Sequence, residues 1–152
     1  GTTFKIYLPR HVGAAEEATG SQPAARPRGQ GETVLLVEDE ATVLKVGSAM
    51  LNELGYTVLT AGTPGEALAL MASHAGKIDL LMTDVVMPEM NGRDLAEKLQ
   101  KESPGLRCLF VSGYTANVIV HHGVLGDGVQ FLQKPFTASS LAVAVKKALR
   151  VG

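Results

Sequence analysis

The sequence predicts an α/β fold, a doubly wound parallel sheet of five strands with helices on both faces. Three observations predict it. Short apolar runs without polar interruption are typical of strands buried on both faces, and they alternate with longer segments of helical periodicity. Residues that begin and end helices separate these segments. With 152 residues, 45% of them apolar, the chain is long enough for one domain and a short appendage.

The first half of this pattern supplies two strands and two helices. Residues 33–37 are a continuous apolar run and predict the first strand. Residues 41–54 carry apolar side chains at helical spacing, and Gly55 is a suitable C-terminal cap for this helix. Residues 57–60 predict the second strand. The segment Thr63-Pro64-Gly65-Glu66 then combines an N-cap, a first-turn proline and a capping-box glutamate.

The second half supplies the remaining elements. Further apolar runs predict strands at residues 78–83, 107–111 and 129–132. A helix is predicted over residues 91–100, with Leu95 and Leu99 on its apolar face. A weaker helical pattern covers residues 116–122. Thr137 is a suitable N-cap for the last helix. Five strands alternating with five helices imply right-handed crossovers and an open parallel sheet.

Composition divides the chain near residue 31. Residues 11–31 are rich in Ala, Gly, Pro and Arg, which predicts a flexible linker. Within residues 1–10 an alternating apolar pattern predicts one strand, which has no sheet of its own to join. We therefore expect residues 1–10 to be left over from a preceding domain and residues 32–152 to form the α/β domain.

Charge and cysteine content exclude several classes of protein. With 14 basic and 15 acidic residues, the chain lacks the basic excess of a nucleic-acid-binding protein. The single cysteine, Cys108, excludes a disulfide framework and a cysteine-rich zinc site, and it is expected to pack in a strand rather than to react. No apolar run is long enough for a membrane span, so we expect a cytoplasmic protein without membrane contact.

Chemically active side chains follow four of the five predicted strands. They are Glu38, Asp39, Asp84, Ser112 and Lys134. Any one of them alone is an ordinary loop residue, but parallel strands bring their carboxyl ends to one edge, where such folds bind ligands. Three carboxylates and one lysine leave a local charge of −2, which a divalent cation would neutralise. Magnesium is the expected ion, with Mn²⁺ as a second candidate.

A phosphoryl group is the ligand that fits both magnesium and a lysine. Asp84 is then a candidate nucleophile that forms an acyl phosphate, while Lys134 and Ser112 hold phosphoryl oxygens. A metal-dependent phosphatase is another possibility. It would need a second acid two residues after the nucleophile, where this chain has Val86.

Four motifs extend this pattern, and they occur in the expected order. They are Val37-Glu38-Asp39-Glu40, the segment from Asp84 to Gly92 (DVVMPEMNG), Val111-Ser112-Gly113-Tyr114, and Phe131-Leu132-Gln133-Lys134-Pro135-Phe136. Together they resemble the receiver domain of two-component signalling, across residues 32–152. The resemblance implies a flavodoxin-like sheet in the order 2-1-3-4-5 and a phosphorelay function. A degenerate receiver, acting only in protein interaction or kinase regulation, is the alternative.

The resemblance also assigns roles to individual residues. It implies that Asp84 is the phosphoacceptor, that Asp39, Asp84 and the carbonyl of Val86 bind magnesium, and that Glu38 assists through water. It makes Ser112 and Phe131 a switch pair, with Phe131 lacking the hydroxyl of the commoner tyrosine, and Lys134-Pro135 a cis peptide. Val86 and Tyr114 flank the path of attacking water, which predicts slow self-dephosphorylation.

Residues 1–9 resemble the closing strand of the ATP-binding domain of sensor histidine kinases. This implies a receiver from a hybrid sensor histidine kinase. The fragment would then accept phosphoryl groups without generating them from ATP. The sequence does not decide whether the fragment counts as an enzyme. The expected partners are a phosphohistidine domain of its own or a cognate kinase and a phosphotransfer protein. A homodimer through residues 116–122, the fifth strand and the last helix is a further expectation.

Overall fold

The computed structural model describes residues 27–114 and 129–150. The elements in these ranges are β1 (Thr33–Val37), α1 (Ala41–Glu53), β2 (Thr57–Ala61), α2 (Pro64–Ser73), β3 (Leu80–Asp84), α3 (Gly92–Glu102), β4 (Arg107–Ser112), β5 (Phe131–Gln133) and α4 (Ala138–Arg150). The predicted strand within residues 1–10 and the predicted helix at 116–122 lie outside the described residues. None of the helices in the two described ranges is long and apolar enough to cross a membrane.

The five strands form one parallel sheet in the order β2-β1-β3-β4-β5, which confirms the predicted fold class. In the register of the sheet, Val37 lies opposite Thr83 and Asp84 lies opposite Val111. The residues that follow β1, β3 and β4 therefore emerge side by side. We call the end of the sheet at which the parallel strands finish the carboxyl edge, and the end at which they start the amino edge.

Two apolar layers cover the sheet, one on each face. Leu35 and Val37 of β1 belong to the layer that includes α2 and α3 residues, whereas Val34 and Leu36 belong to the layer that includes α1 and α4 residues. Successive side chains of a strand point to opposite faces. A central strand covered on both sides must therefore be apolar at every position, which explains the uninterrupted runs in the sequence.

The predicted N-caps Thr63 and Thr137 are confirmed, because each accepts a hydrogen bond at its side-chain oxygen from a backbone N–H three residues later. Asn91 caps α3 in the same way, so this helix begins one residue later than predicted. The Glu66 carboxylate accepts from the N–H of Gly62, one residue before the N-cap. Predicted strand limits are less accurate. The sequence predicts the fifth strand at 129–132, but β5 is Phe131–Gln133, because its first pair with β4 is Phe110 with Phe131.

Residues 27–31, which the sequence assigns to the linker, contact the domain at the amino edge. The N–H of Gly29 donates to the carbonyl of Leu54 at 2.8 Å. A Cβ atom at position 29 would lie 2.6 Å from the ring of Tyr56, so only glycine fits this contact. Glu32 continues the segment: its carbonyl accepts from Thr57 N–H and its carboxylate lies 3.8 Å from the Lys146 ammonium.

Candidate functional site

Three carboxylates meet at the carboxyl edge. Glu38 and Asp39 follow β1, and Asp84 ends β3, the strand next to it in the sheet. One carboxylate oxygen from each residue lies within 4.8 Å of the other two. Glu38 is buried, Asp84 is partly buried and Asp39 is exposed. The structure thus brings together the three acids that the sequence selected, in an arrangement able to hold a metal ion.

Lys134 is the positive charge of this cluster. Its Nζ donates to Glu38 Oε2 and to Asp84 Oδ2, both at 2.6 Å. The backbone holds the lysine in place, because its N–H donates to the carbonyl of Ser112 at 2.8 Å. The Lys134-Pro135 peptide is cis, as the resemblance implies. Lys134 therefore reaches across from β5 and compensates two of the three carboxylates.

Burial and pairing act in opposite directions on the ionisation of this cluster. Burial raises the pKa of Glu38 above its ordinary value, and the hydrogen bond from Lys134 offsets only part of that increase. For Lys134, burial alone would lower the pKa, but the bonds to Asp84 and Glu38 outweigh it and raise the pKa. The lysine therefore remains charged at neutral pH.

The loop after β3 fixes the position of Asp84. The N–H of Val86 donates to Asp84 Oδ1 at 3.2 Å, which holds the carboxylate from the loop side. Gly92, the first residue of α3, donates its N–H to the carbonyl of Val85 at 2.9 Å. A Cβ atom at Gly92 would lie only 2.1 Å from the carbonyl oxygen of Asp84, so the helix approaches this loop as closely as a glycine permits.

Ser112 and Phe131 lie on neighbouring strands, at different distances from the carboxyl edge. Ser112 is buried at the end of β4, and its Oγ accepts a hydrogen bond from Tyr114 N–H at 3.2 Å. Phe131 lies opposite Phe110 in the sheet, two residues before the partner of Ser112, and packs against the layer of α2 and α3. The side chains of Val86 and Tyr114 are both exposed.

Sequence analysis gave no role to two residues of this site, although Gly92 is the last residue of a quoted motif. Thr83 is a buried polar residue immediately before Asp84, and Gly92 is the point of closest helix approach. A threonine within the otherwise apolar stretch before Asp84 was a signal for the first. For the second, the sequence offers only a glycine at the start of a helix.

Comparison with known proteins agrees with this geometry. Residues 34–146 match the family model of the response regulator receiver domain. Sensor kinase CckA of Brucella abortus (strain 2308) is 39% identical over 158 residues, which cover 98% of this chain and 16% of that protein. The chain therefore spans about a sixth of the length of that relative.

Solved structures show the same fold. The receiver domain of the hybrid histidine kinase CckA is 37% identical with a TM-score of 0.65, and the match covers 78% of this chain and 99% of that one. A response regulator receiver domain protein from Clostridium thermocellum is 29% identical with a TM-score of 0.67, and the match covers 78% of this chain and 94% of that one. The family match spans most of the chain and includes all three carboxylates and every strand residue except Thr33. The chain belongs to the response regulator receiver domain family of two-component signalling.

Proposed function

We propose that Asp84 of this receiver accepts a phosphoryl group from a phosphohistidine. The observation that carries this proposal is the pairing of Asp84 with Lys134 inside a cluster of three carboxylates. In the transfer, the P–N bond of the phosphohistidine breaks and its electron pair returns to the imidazole. An Asp84 oxygen forms the new O–P bond, which gives an acyl phosphate.

The chain's own residues prepare this step. Lys134 is held where it can leave a carboxylate and take a phosphoryl oxygen, because its backbone is bonded to Ser112 and only its Nζ has to move. The Val86 N–H orients the Asp84 carboxylate. The hydroxyl of Ser112 is bonded to Tyr114 N–H and lies at the end of the adjacent strand, from where we propose that it reaches a further phosphoryl oxygen.

Magnesium fits the donor set of this pocket. Carboxylate oxygens from three residues converge within 4.8 Å, and oxygen ligands are those that Mg²⁺ prefers. We propose direct ligands from Asp39, Asp84 and the Val86 carbonyl, with Glu38 assisting through water. When bound, Mg²⁺ or Mn²⁺ would neutralise charge on the phosphoryl oxygens.

We propose that the phosphorylated state is passed on through Ser112 and Phe131. Movement of the Ser112 hydroxyl toward the phosphoryl group would release its bond to Tyr114 N–H and alter the backbone at Gly113 and Tyr114. Phe131 begins the next strand and is only partly buried, and we propose that its ring turns inward when the Ser112 hydroxyl moves. The surface around β4 and β5 would then differ between the phosphorylated and the unphosphorylated protein.

A receiver domain implies phosphotransfer partners that carry a histidine. Because of the likeness to sensor kinase CckA, we propose that this receiver belongs to a hybrid sensor kinase and exchanges phosphoryl groups with its own or a cognate kinase or a phosphotransfer protein. The domain division, the homodimer, the cytoplasmic location and the lack of nucleic-acid or membrane contact stay predictions. The degenerate receiver is disfavoured, because Asp84, Lys134 and the acidic cluster are present and in contact.

Incubation with acetyl phosphate and Mg²⁺ tests the acceptor function. We expect intact-mass measurement to show the gain of one phosphoryl group, dependent on Mg²⁺, in the wild type and in Asp94→Asn, whose carboxylate accepts a hydrogen bond from the Asn91 side chain at the start of α3 and is not part of the acidic cluster. Asp84→Asn should show none. Phosphorylation of Asp84→Asn at the wild-type level, or an unreactive wild type, would refute the assignment.

A further inference from the structure

Apart from the aromatic Tyr56, three polar side chains are buried in the described residues, Glu38, Thr83 and Ser112, and all three lie at the carboxyl edge. The proposed function uses Glu38 and Ser112 but leaves Thr83 without a role. Thr83 is 0% exposed and lies between Val37 and Phe110 in the sheet, where an apolar residue would be expected. A buried hydroxyl is costly unless it is hydrogen-bonded. The partners of Thr83 therefore indicate why a hydroxyl is present there.

Both partners belong to the segment that begins at Asp84. The Thr83 hydroxyl donates to the carbonyl oxygen of Asp84 at 3.0 Å and lies 3.9 Å from the sulfur of Met87. Met87 is itself buried. The hydroxyl thus connects the end of β3 to the loop that carries Val86.

The peptide unit between Asp84 and Val85 is held at both of its polar ends. Its carbonyl accepts from Thr83, and its N–H donates to the carbonyl of Val111 at 2.9 Å. Gly92 packs against the same carbonyl oxygen and leaves it no space to swing toward α3. Because this peptide begins at the Asp84 Cα, its orientation sets the direction of the Asp84 side chain.

We infer that Thr83 is a positioning residue that holds Asp84 and the following loop in the geometry needed for metal binding and phosphoryl transfer. This inference rests on the proposed function of Asp84. Loss of the hydroxyl would free one end of the peptide and broaden the range of positions of the carboxylate and of the Val86 carbonyl. Residues that orient metal ligands commonly affect metal affinity strongly without contacting the metal.

Three variants separate the hydroxyl from the rest of the side chain. Thr83→Val keeps the branched shape and removes the hydroxyl, whereas Thr83→Ser keeps the hydroxyl and removes a methyl group. Thr60→Val makes the same change on β2, outside this loop. Calorimetric titration with Mg²⁺ would measure affinity, and amide hydrogen exchange in metal-free protein would measure the order of residues 85 and 86.

We expect Thr83→Val to weaken Mg²⁺ binding roughly tenfold and to speed exchange of the Val85 and Val86 amides. Thr83→Ser and Thr60→Val should retain wild-type affinity and exchange. Wild-type values for Thr83→Val, or an equal loss in Thr83→Ser, would overturn the inference. Failure of acetyl phosphate to label a wild type that binds Mg²⁺ would instead refute the acceptor function, and the affinity and exchange results would still decide the role of Thr83.

Discussion

The ammonium of Lys134 lies 2.6 Å from a carboxylate oxygen of Asp84, although the two residues are 50 positions apart. The same ammonium bonds to Glu38, so one cation compensates two acids drawn from different strands. The contact requires β5 to be in register with β4 and β1 to lie beside β3. The contacts of Lys134 therefore form only when the sheet is assembled, and they also belong to the chemistry of its carboxyl edge.

Removal of this cation should destabilise the metal-free protein. Lys134→Met leaves two acids close together without compensation, which should lower the free energy of unfolding by about 1–3 kcal/mol, less than for a fully buried pair. Urea unfolding with and without Mg²⁺ would measure the change. The loss should be smaller with Mg²⁺, and Lys147→Met on α4 should lose little in either condition. An equal loss for Lys134→Met in both conditions would contradict this account.

Val86 should limit the attack of water on the acyl phosphate. Its side chain is 61% exposed beside Asp84 and offers no polar atom to orient water. We expect Val86→Asn to lose its phosphoryl group roughly tenfold faster, a modest effect for a positioned polar group. Decay can be followed by intact mass, with Val143→Asn on α4 as a matched exposed control. Decay in Val86→Asn that is unchanged or slower would count against the hypothesis.

Gly92 should tolerate no side chain. An added Cβ would lie 2.1 Å from the carbonyl oxygen of Asp84, so α3 or the loop would have to move. We expect Gly92→Ala to lower stability by about 1–3 kcal/mol. Phosphorylation by acetyl phosphate should slow as well. In Gly105→Ala the new Cβ meets nothing within 4 Å, and stability should change little. If the two alanine variants unfold alike, the proposed steric conflict does not exist.

Cys108 should be unreactive in the native state. Burial raises the pKa of its thiol from 9.0 to about 12. At pH 8 almost no thiolate is present, so iodoacetamide should alkylate the native protein far more slowly than the urea-unfolded chain. The pKa is higher in the folded state, so the contribution of Cys108 to stability is complete below pH 9 and is lost as the pH rises toward 12. Equal alkylation rates in the two states would show that the thiol is accessible.

The sequence predicted the sheet and the three acids because both follow from local patterns. Apolar runs mark strands, and the residues after them must share an edge. The difference between Glu38 and Asp39 was not accessible in this way. The two are adjacent acids in the same loop, yet Glu38 is buried against Lys134 and Asp39 is exposed. Only the packing of β5 beside β4 determines which acid the lysine reaches.

The role of Thr83 was hidden for a related reason. Threonine is common in strands, and its side-chain shape there resembles that of valine. Its bond to the Asp84 carbonyl and the packing of Gly92 on that oxygen depend on the path of the loop between β3 and α3. Neither contact has a sequence pattern of its own.

The contact of Gly29 with the ring of Tyr56 bears on how this receiver can be exchanged between proteins. Tyr56 is 97% shielded from solvent, and residue 29 is part of its cover. A chimera joined at Glu32 would therefore replace that cover with foreign sequence, and any residue other than glycine at position 29 would collide with the ring. A junction placed before Pro27 would keep the cover, so the unit of recombination is longer than the apolar pattern of the sheet suggests.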